Sequence, residues 1–586
     1  MPKIKVKSSP SKNVTITYDL FDLPSAQHKA GLAGLILQIR SMQSRKQPME
    51  EIPFIEQCNS TMAKISFTES STRGLLDDIY DADFVESEPS EKPRKKHKTK
   101  EVIPPFRTVW LDKPDKNGQG SNQVTAYVYR DVTPALHTLR QYLPEQRHWL
   151  KLWRDMLWGI PRNKPQSRRP YEERAGKEHC KEGGRAWADL LKVVKAQQTT
   201  SFHVTEVAGT LWLGAQAANA EGIPFVGRAE QSLLLHFWPL TVLVFVPVFV
   251  DREGSHIGQQ GKNDKNSHYA LAIPEVSDLE TFVADYPAIL GQLGNDVRGY
   301  RPAEALIDLP AEGALAFMEH LAELVRQKTE SKEIRYSVSA VEYQHLVKAG
   351  NNVKAMAAGR VEPRPGLIEH YETIAGRAGH PARFRNPLFR RGLLSALLKD
   401  RTWYEAMDDV LIKLPHALFV RSENSPQQLP WFSIDAARRF EMDTEEYSRS
   451  LEAHMNLSEL NPTAGGPAPQ KPLSAIINSL IRNYVRQRAE EKSGLDLEKF
   501  KIDGKIDWEN LPSEFADARR RLAEGAFLEF RSRRDQAFVN HFVATFCSVK
   551  QYLTEDDYEA VAAALLDPER RDDLKTLTLL ALSASS

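Results

Sequence analysis

Cysteine is scarce in this chain, and its charges are balanced. The 586 residues include three cysteines, Cys58, Cys180 and Cys547, which lie far apart and form no C-x-x-C pair. This pattern argues against a structural zinc site and favours a reducing compartment, so we expect a cytoplasmic protein. The 78 basic and 78 acidic residues cancel. A nucleic-acid partner therefore cannot be inferred from net charge and has to be sought in local patches.

Catalytic signatures are lacking as well. The sequence contains no H-E-x-x-H, no G-x-S-x-G and no histidine followed by aspartate. The segment GQQGKN at 258–263 is close to a phosphate-binding loop, but His256 stands where the first glycine belongs and Asn263 replaces the hydroxyl residue. The adjacent His179 and Cys180 have no further ligands nearby in sequence, which is more typical of a structural pair. We expect no catalytic residue, no metal and no cofactor.

One long uncharged run, LLLHFWPLTVLVFVPVFV at 233–250, has to be tested as a membrane span. It contains Pro239, Pro247 and many β-branched residues, which favour buried strands instead. The start of the sequence has no apolar core followed by a cleavage site, so no standard signal peptide is expected. The sequence therefore predicts a protein without a membrane partner.

What the chain does contain is the pattern of an α+β protein. TVWL at 108–111 and NQVTAYVYR at 122–130 are predicted to be two strands that flank a turn, and TVLVFVPVFV at 241–250 and HYALAIPEV at 268–276 are predicted to be two more. Helical segments alternate with these strands, and beyond residue 277 the pattern is almost wholly helical. The acidic run at 75–91 is followed directly by the basic run KPRKKHKTK at 92–100. We interpret these two runs together as an exposed linker or loop, and contact of the basic run with a phosphate backbone is the alternative interpretation.

Two domains are predicted. The first is a large mixed α+β domain over 1–430 with antiparallel strands and helices, and it contains an exposed charged linker at about 86–105. The second is a C-terminal α-helical bundle over 431–586, with a linker at about 461–472, where the sequence is NPTAGGPAPQKP. Apolar residues at helical spacing in LSAIINSLIRNYVRQ and at Phe538, Phe542, Phe546 and Val549 are expected to form the core of this bundle.

The segment YDLFDLPSAQHKAGLAGLILQIRSM at 18–42 predicts an early helix with a cap at Ser25. One face of this helix carries only large aliphatic side chains, namely Leu32, Leu35, Ile36 and Ile39. Small residues lie beside them, namely Ala30, Ala33 and Gly34. Because small residues permit close backbone approach, we predict a packing helix and no membrane or cofactor role.

Basic residues are concentrated in three stretches, 159–171, 376–401 and 519–534. A single stretch of this kind is usually a solvated face, but three of them in a neutral protein favour a nucleic-acid partner. Cationic side chains can neutralise phosphates while amide and guanidinium groups contact base edges. The candidate nucleic-acid-binding residues in these stretches are Arg162, Asn163, Lys164, Arg168, Arg169, Arg383, Arg385, Arg390, Arg391, Arg519 and Arg533.

The polar loop after Val250 adds a further group of candidates. Asparagine and glutamine can contact adenine with two hydrogen bonds, and lysine can bond guanine or phosphate. A solvated hairpin tip is an equally good interpretation of the same residues. The candidates in this loop are Gln259, Lys262, Asn263, Lys265 and Asn266.

Three segments together resemble a known family: YDLFDLPSAQHKAGLAGLILQI, GIPRNKPQSRRPYEERA and HYALAIPEV. They are similar to the large subunit of type I CRISPR interference (Cascade) complexes of the MYXAN, or type I-B-like, subtype, most clearly over residues 14–280. The resemblance implies a non-catalytic subunit that contacts the 5′ handle of the guide RNA and checks the motif beside the double-stranded target DNA. It also implies that the subunit stabilises the R-loop, contacts backbone subunits and a small subunit, and helps to recruit a helicase-nuclease.

Other interpretations stay open at this point. A transposon-borne complex that recruits transposition proteins through an adaptor would use the same architecture, and a scaffold could contact protein alone. A metal-dependent nucleic-acid enzyme with dispersed acidic residues is an alternative of a different class. A small subunit could also be translated from Met442 or Met455, which lie just before the predicted bundle linker.

Overall fold

The computed structural model of the chain describes residues 5–7, 13–96, 99–114, 121–142, 152, 168–197, 204–206, 226–250, 256–257, 266–293, 297–298, 301–302, 305–328, 337–349, 352–376, 384–420, 432–460, 468–502, 505–506 and 511–586. Over these residues the fold is α+β, as predicted. Strands occur mainly before residue 362, and helices dominate the rest.

The helices and strands are numbered in chain order. The strands are β1 (Lys5–Lys7), β2 (Asn13–Asp19), β3 (Phe54–Cys58), β4 (Met62–Phe67), β5 (Ala82–Glu86), β6 (Arg107–Pro114), β7 (Ser121–Val128), β8 (Arg130–Pro134), β9 (Val204–Glu206), β10 (Val226–Arg228), β11 (Leu243–Pro247), β12 (Phe249–Val250), β13 (His256–Ile257), β14 (Asn266–Val276), β15 (Val297–Arg298), β16 (Arg301–Pro302), β17 (Leu306–Ile307), β18 (Val338–Ala349), β19 (Asn352–Val361), β20 (Lys501–Ile502) and β21 (Lys505–Ile506). The α-helices are α1 (Ala26–Ser44), α2 (Glu69–Ile79), α3 (His137–Tyr142), α4 (Arg168–Ala175), α5 (Lys181–Gln197), α6 (Ala229–Leu234), α7 (Leu279–Gln292), α8 (Glu312–Lys328), α9 (Leu367–Ala375), α10 (Pro387–Leu398), α11 (Asp408–Lys413), α12 (Phe432–Leu460), α13 (Leu473–Ser493), α14 (Ser513–Ser532), α15 (Asp535–Phe546), α16 (Glu555–Leu566) and α17 (Pro568–Ala584).

The chain forms two compact units. The first consists of Met1–Pro247 and Asp264–Pro363, and the second of Val248–Asn263 and Arg364–Ser586. The domain boundary predicted at residue 430 lies inside the second unit. The prediction that residues 431–586 form a domain of their own stays a prediction, because packing in the folded chain does not measure independent folding.

Segments on both sides of residue 430 contact one another within the second unit. The Arg531 guanidinium donates hydrogen bonds to the carbonyl oxygens of Ile412 and Leu414. The Ser583 hydroxyl donates to the carbonyl oxygen of Phe419. The helices after residue 431 therefore satisfy backbone groups of the segment before it.

A five-stranded sheet lies at the centre of the first unit, in the order β17-β11-β14-β18-β19. The strands predicted at 241–250 and 268–276 correspond to β11 and β14, which pair antiparallel with Leu243 opposite Ala272. The prediction that residues beyond 277 are almost wholly helical is wrong for β18 and β19. Their sequences contain Ala, Glu, Gln, Leu and Lys, which favour helix, and pairing with β14 overrides this local preference.

Helix α1 is the packing helix predicted for the segment at 18–42. The Ser25 side chain caps it by accepting a hydrogen bond from the backbone N–H of His28. The helix is buried along most of its length and packs against β14 and the 3-10 turn Trp238–Thr241. A Cβ atom at Gly31 would overlap the carbonyl oxygen of Leu234, a close approach that the sequence pattern did not indicate. The close approach predicted for Gly34 is confirmed, because its Cβ would overlap the carbonyl oxygen of Phe237.

The uncharged run at 233–250 contains fewer strand residues than predicted. Its first half forms the end of α6 and the 3-10 turn Trp238–Thr241, and its second half forms the fully buried strand β11, followed by β12. Proline can occupy the first turn of a helix but cannot donate to a strand ladder, so Pro239 favours the helical turn. In the described part of the chain, no helix combines the length and the apolar character needed to cross a membrane.

The first part of the acidic run at 75–91 forms a helix and a strand and is not a linker. Residues up to 79 belong to α2, and residues 82–86 form β5. Asp77 is only 8% exposed: its Oδ1 accepts a hydrogen bond of 2.7 Å from the Cys180 backbone N–H, and its Oδ2 lies 2.6 Å from Nδ1 of His179. His179 and Cys180, which the sequence predicts to be a structural pair, thus contact α2 at Asp77, and α5 begins directly after them.

The 86–105 segment is exposed along most of its length, and its backbone is hydrogen-bonded to β7 and to the residue that follows it. The Ser87 N–H donates to the Tyr129 carbonyl at 2.7 Å, and the Tyr127 N–H donates to the Ser90 carbonyl at 2.7 Å. The hairpin predicted from TVWL and NQVTAYVYR is confirmed as β6 and β7. The charged segment therefore lies along a β-structure.

The helices of the second unit share an apolar core. The predicted stripe of Phe538, Phe542, Phe546 and Val549 is buried, which confirms its core position. In α13 the predicted apolar face is buried at its middle and only half-buried at Leu473 and Tyr484. The buried residues are Ile476, Ile477, Leu480 and Ile481. The core of the predicted bundle is thus as the helical spacing indicated.

We predict that Gly34→Ala destabilises the first unit. Alanine in a helix is normally favoured over glycine by about 1 kcal/mol, but here the added methyl group would have to displace the Phe237 backbone, at a cost of about 1–3 kcal/mol or more. Gly291→Ala in α7 is the matched control, because no atom lies within 4 Å of its Cβ position. Thermal unfolding of both variants tests this, and equal midpoints would contradict it.

Candidate nucleic-acid interface

Arg168 and Arg169 are the first two residues of α4. The next two residues, Pro170 and Tyr171, are buried, and the Tyr171 ring meets the Tyr80 ring edge to face at 5.0 Å. Burial of Tyr171 anchors the helix and leaves the two arginines on its outer side, where their side chains are 55% and 64% exposed. Of the predicted cluster, Arg162, Asn163 and Lys164 lie outside the described residues.

Each of the two arginines has an acidic neighbour one turn along α4. Nε of Arg168 lies 2.8 Å from Glu172, and Nε of Arg169 lies 3.1 Å from Glu173. The Arg168–Glu172 pair is exposed on both sides and is worth about 0.3–0.5 kcal/mol, so a phosphate can replace its carboxylate at little cost. Glu173 is only 11% exposed and also accepts a hydrogen bond of 3.0 Å from the Lys181 backbone N–H, so its carboxylate is held more firmly. The arrangement suits a reversible contact with a nucleic-acid backbone.

The polar loop lies largely outside the described residues, including Gln259, Lys262, Asn263 and Lys265. Asn266 is the first residue of β14, where it is paired with Ala349 of β18. The C-terminal end of the loop is therefore attached to the five-stranded sheet.

The cluster at 376–401 is centred on the start of α10. Arg385 is exposed, and Arg390 and Arg391 are half-buried, while Arg383 lies outside the described residues. Asn386 caps the helix, since its side-chain oxygen accepts hydrogen bonds from the N–H groups of Leu388 and Phe389 at 3.0 and 3.1 Å. Helix α10 thus presents two of the predicted arginines from its first two turns.

A carboxylate that the sequence pattern did not associate with this cluster lies beside it. Oδ2 of Asp435, on α12, accepts hydrogen bonds from the backbone N–H groups of Arg385 at 2.8 Å and Asn386 at 2.6 Å. Burial raises the pKa of Asp435, while these hydrogen bonds and the charges of Arg438 and Arg390 oppose the rise. The local positive charge is consequently smaller than the sequence indicated.

The arginines of α14 have divided roles. Arg531 is held by two backbone carbonyl oxygens, and burial lowers the pKa of its guanidinium group. Arg520 forms an ion pair of 2.7 Å with Asp517. The two candidates predicted in this stretch, Arg519 and Arg533, are both half-buried. Helical spacing therefore did not separate arginines that stabilise the fold from those that face solvent.

A cavity of about 930 Å³ lies in the second unit, lined by residues of α9, α10, α12 and the start of α13. Trp403 donates its indole N–H to Asp443 at 2.9 Å, and Arg439 forms an ion pair of 2.8 Å with the same carboxylate. Acidic and basic side chains both line the cavity, which gives it no marked preference for an anion. Among the described residues, no group of three or more His, Cys, Asp or Glu side chains is placed to hold a metal ion.

Comparison with protein families defines what kind of protein this is. The family model described as "Type I-B CRISPR Cas8b N-terminal domain" matches residues 52–331, and the one described as "Type I-B CRISPR Cas8b C-terminal domain" matches residues 338–585. Together they cover most of the chain, which is therefore a large subunit of a CRISPR interference complex. It belongs to the Cas8b family of type I-B systems. Among curated proteins, no sequence matches the chain.

The family matches confirm the resemblance noted in the sequence and extend it. The resemblance was clearest over residues 14–280, whereas the matches also include the helical C-terminal part. Helix α1 precedes the first matched residue, so the value of this helix as a family marker stays a prediction.

We predict that Asp435→Ala weakens the start of α10. It would leave the buried N–H of Asn386 without its partner, at a cost of about 1–3 kcal/mol. Hydrogen–deuterium exchange of peptides covering 384–398 should become faster, while Asp435→Asn, which keeps an acceptor oxygen, should have a smaller effect. Unchanged exchange in both variants would contradict the assigned capping role.

Proposed function

We propose that this subunit recognises the motif adjacent to the DNA target, contacts the 5′ handle of the guide RNA and stabilises the R-loop for recruitment of a helicase-nuclease. In this proposal it does not itself catalyse a reaction. Membership of the Cas8b family over both halves of the chain is the observation that carries the proposal. The exposed arginines Arg168 and Arg169 on α4 and Arg385 just before α10 support it, because they can contact phosphates.

The charge distribution also supports this function. In an RNA-guided complex, base pairing reads most of the target, while the protein reads a short motif and the shape of the duplex. Strong non-specific attraction would hold such a complex on unrelated DNA. A chain with no net charge, in which the exposed Arg168 is paired with an acid one turn away, avoids this problem.

We assign the clusters as follows. The 162–171 segment and the 251–268 loop approach the motif-bearing duplex or the RNA handle. The clusters at 377–401 and 519–534 follow the guide–target heteroduplex or the displaced strand. The partners are then guide RNA, double-stranded target DNA, the backbone and small subunits, and the recruited helicase-nuclease.

Charge reversal on α4 tests the first assignment. Arg168→Glu with Arg169→Glu, in the assembled complex, should weaken binding to target DNA about tenfold or more. It should also lower the slope of log affinity against log salt by about 2, that is, by about 1 for each phosphate that the variant no longer neutralises. Fluorescence anisotropy over a series of salt concentrations measures both quantities.

The matched control reverses Arg185 and Lys192 of α5. These residues are 56% and 58% exposed, and each is paired with an acid three residues away. The control makes the same change in net charge at a neighbouring surface that contains none of the candidates. If both double variants showed the same fall in affinity and slope, the effect would come from total charge and not from the assigned residues.

Alanine substitutions in the polar loop test motif recognition. Asn263→Ala, Lys265→Ala and Asn266→Ala together should relax the preference for the target-adjacent motif, because these side chains are assigned to base edges. A library of targets with randomised motifs measures the preference. Phosphate contacts elsewhere should keep overall affinity within about threefold. An unaltered preference would remove the loop from this role.

A further inference from the structure

The hairpin of β6 and β7 and the residue just before it expose aromatic side chains. Trp110 is 68% exposed and Phe106 is 44% exposed. Alternate residues of a strand share a face, so Thr108 and Trp110 of β6 lie on the same side, with Tyr127 opposite Thr108 and Thr125 opposite Trp110. Phe106 lies one residue before β6, and its backbone N–H donates to the Val128 carbonyl of β7 at 2.8 Å. We call the surface formed by Thr108, Trp110, Thr125 and Tyr127, together with the adjoining Phe106, the aromatic face.

A cation already lies on one of these rings. The guanidinium carbon of Arg130 is 3.5 Å from the centroid of the Phe106 ring. Arginine stacked on an aromatic ring in this way provides a flat surface that also has positive charge. Such a surface can contact a base and a phosphate together.

Residues 92–96 and 99–100, the described part of the basic run, are here called the basic arm and lie beside the hairpin. The Arg94 N–H donates to the Tyr129 hydroxyl at 2.8 Å, and the Ser90 N–H donates to the Tyr127 carbonyl at 3.1 Å. Arg94 thus attaches the arm to Tyr129, the residue that follows β7, and Ser90, just before the arm, is attached to Tyr127 of the aromatic face.

Some cations of the basic arm are neutralised and others are not. Arg94 forms two hydrogen bonds to Asp131, at 2.6 and 2.9 Å, and Lys96 lies 3.1 Å from Glu101. The remaining lysines described in the arm are exposed and form no ion pair within the described part of the chain, and these are Lys92, Lys95 and Lys100. Glu88 and Glu91 precede the arm, so its positive charge is local and moderate.

These features together select one class of ligand. An exposed aromatic ring stacks on a base only when that base is not stacked inside a duplex, and unpaired lysines can contact phosphates. An acidic protein could use the lysines but would leave the rings without a planar partner. A duplex could use the lysines but hides the faces of its bases.

We propose that the aromatic face and the basic arm bind single-stranded nucleic acid, with Trp110 and the Phe106–Arg130 stack as platforms for unpaired bases. Phe106 directly precedes β6 and Trp110 lies within it, so the four-residue step between them spans at most about 14 Å. The proposal rests on the proposed function at one point: R-loop formation and the guide RNA are the sources of the single strand that this surface would bind. None of its residues belongs to the candidate clusters of the sequence.

Trp110→Ala in the full-length chain tests the proposal. Affinity for a fluorescein-labelled 20-nucleotide oligothymidine should fall about 5- to 100-fold, as expected for the loss of one stacked base. Trp110→Phe keeps an aromatic ring and should stay within about threefold of the parent. Affinity for a hairpin duplex of equal length should not change, because its bases are already stacked.

Two further variants separate stacking from charge. Lys92→Glu, Lys95→Glu and Lys100→Glu together should weaken oligothymidine binding and lower its salt slope by about 0.7 for each phosphate that is no longer neutralised. Phe21→Ala removes an aromatic ring that is 82% exposed on another part of the first unit, and it should have no effect. Unchanged thermal unfolding of all variants shows that the fold is intact.

The outcomes distinguish this inference from the proposed function. If Trp110→Ala and Trp110→Phe bind oligothymidine like the parent, the proposal is overturned. It is also overturned if Trp110→Ala abolishes co-purification of the other subunits, and the face is then a protein-docking surface. If the assembled parent complex binds no target DNA at all, the proposed function fails instead.

Competition with oligouridine identifies the source of the single strand. Stronger competition than by unlabelled oligothymidine assigns the face to guide RNA, and weaker competition assigns it to the displaced DNA strand.

Discussion

The close contact between α1 and the chain at 234–241 is the constraint on which the first unit depends. Two glycines of α1 lie against the carbonyl oxygens of Leu234 and Phe237, where any side chain would overlap the backbone. The Thr241 hydroxyl donates to the Ala30 carbonyl of the same helix at 3.0 Å, and Lys29 forms an ion pair of 2.8 Å with Glu275 of β14. Helix α1 therefore joins the turn before β11 to the central sheet, and the sheet in turn holds the end of the polar loop at Asn266.

The central sheet also shows that sequence families and compact units divide the chain differently. The family match for the C-terminal domain begins at residue 338, yet β18 and β19 pair with β14 inside the first unit. Eleven residues of β14 have partners on β18, so this pairing supplies a large part of the hydrogen bonding of the sheet. Strand pairing between segments distant in sequence thus sets the limits of the unit.

The basic clusters illustrate how tertiary structure changes the meaning of a charge pattern. Arg531 looks like its neighbours in sequence, but its guanidinium group satisfies backbone carbonyls of a distant segment. Asp435 lies near Arg390 although it is 45 residues away along the chain. By contrast, the pairing of Arg168 and Arg169 with Glu172 and Glu173 follows directly from helical spacing. Local pairs were open to prediction from sequence, and long-range partners were not.

By itself the sequence determined the α+β class, the packing helix, the hairpin of β6 and β7, the apolar stripes of the C-terminal helices and the family resemblance. Each of these follows from periodicity or from contiguous residues, which survive any arrangement of the elements. Only the tertiary structure decided that β18 and β19 are strands, that Asp77 is buried beside His179 and Cys180, and that the 86–105 segment lies along β7. The reason is physical: burial and hydrogen bonding between distant segments outweigh local propensities of at most about 1 kcal/mol per residue.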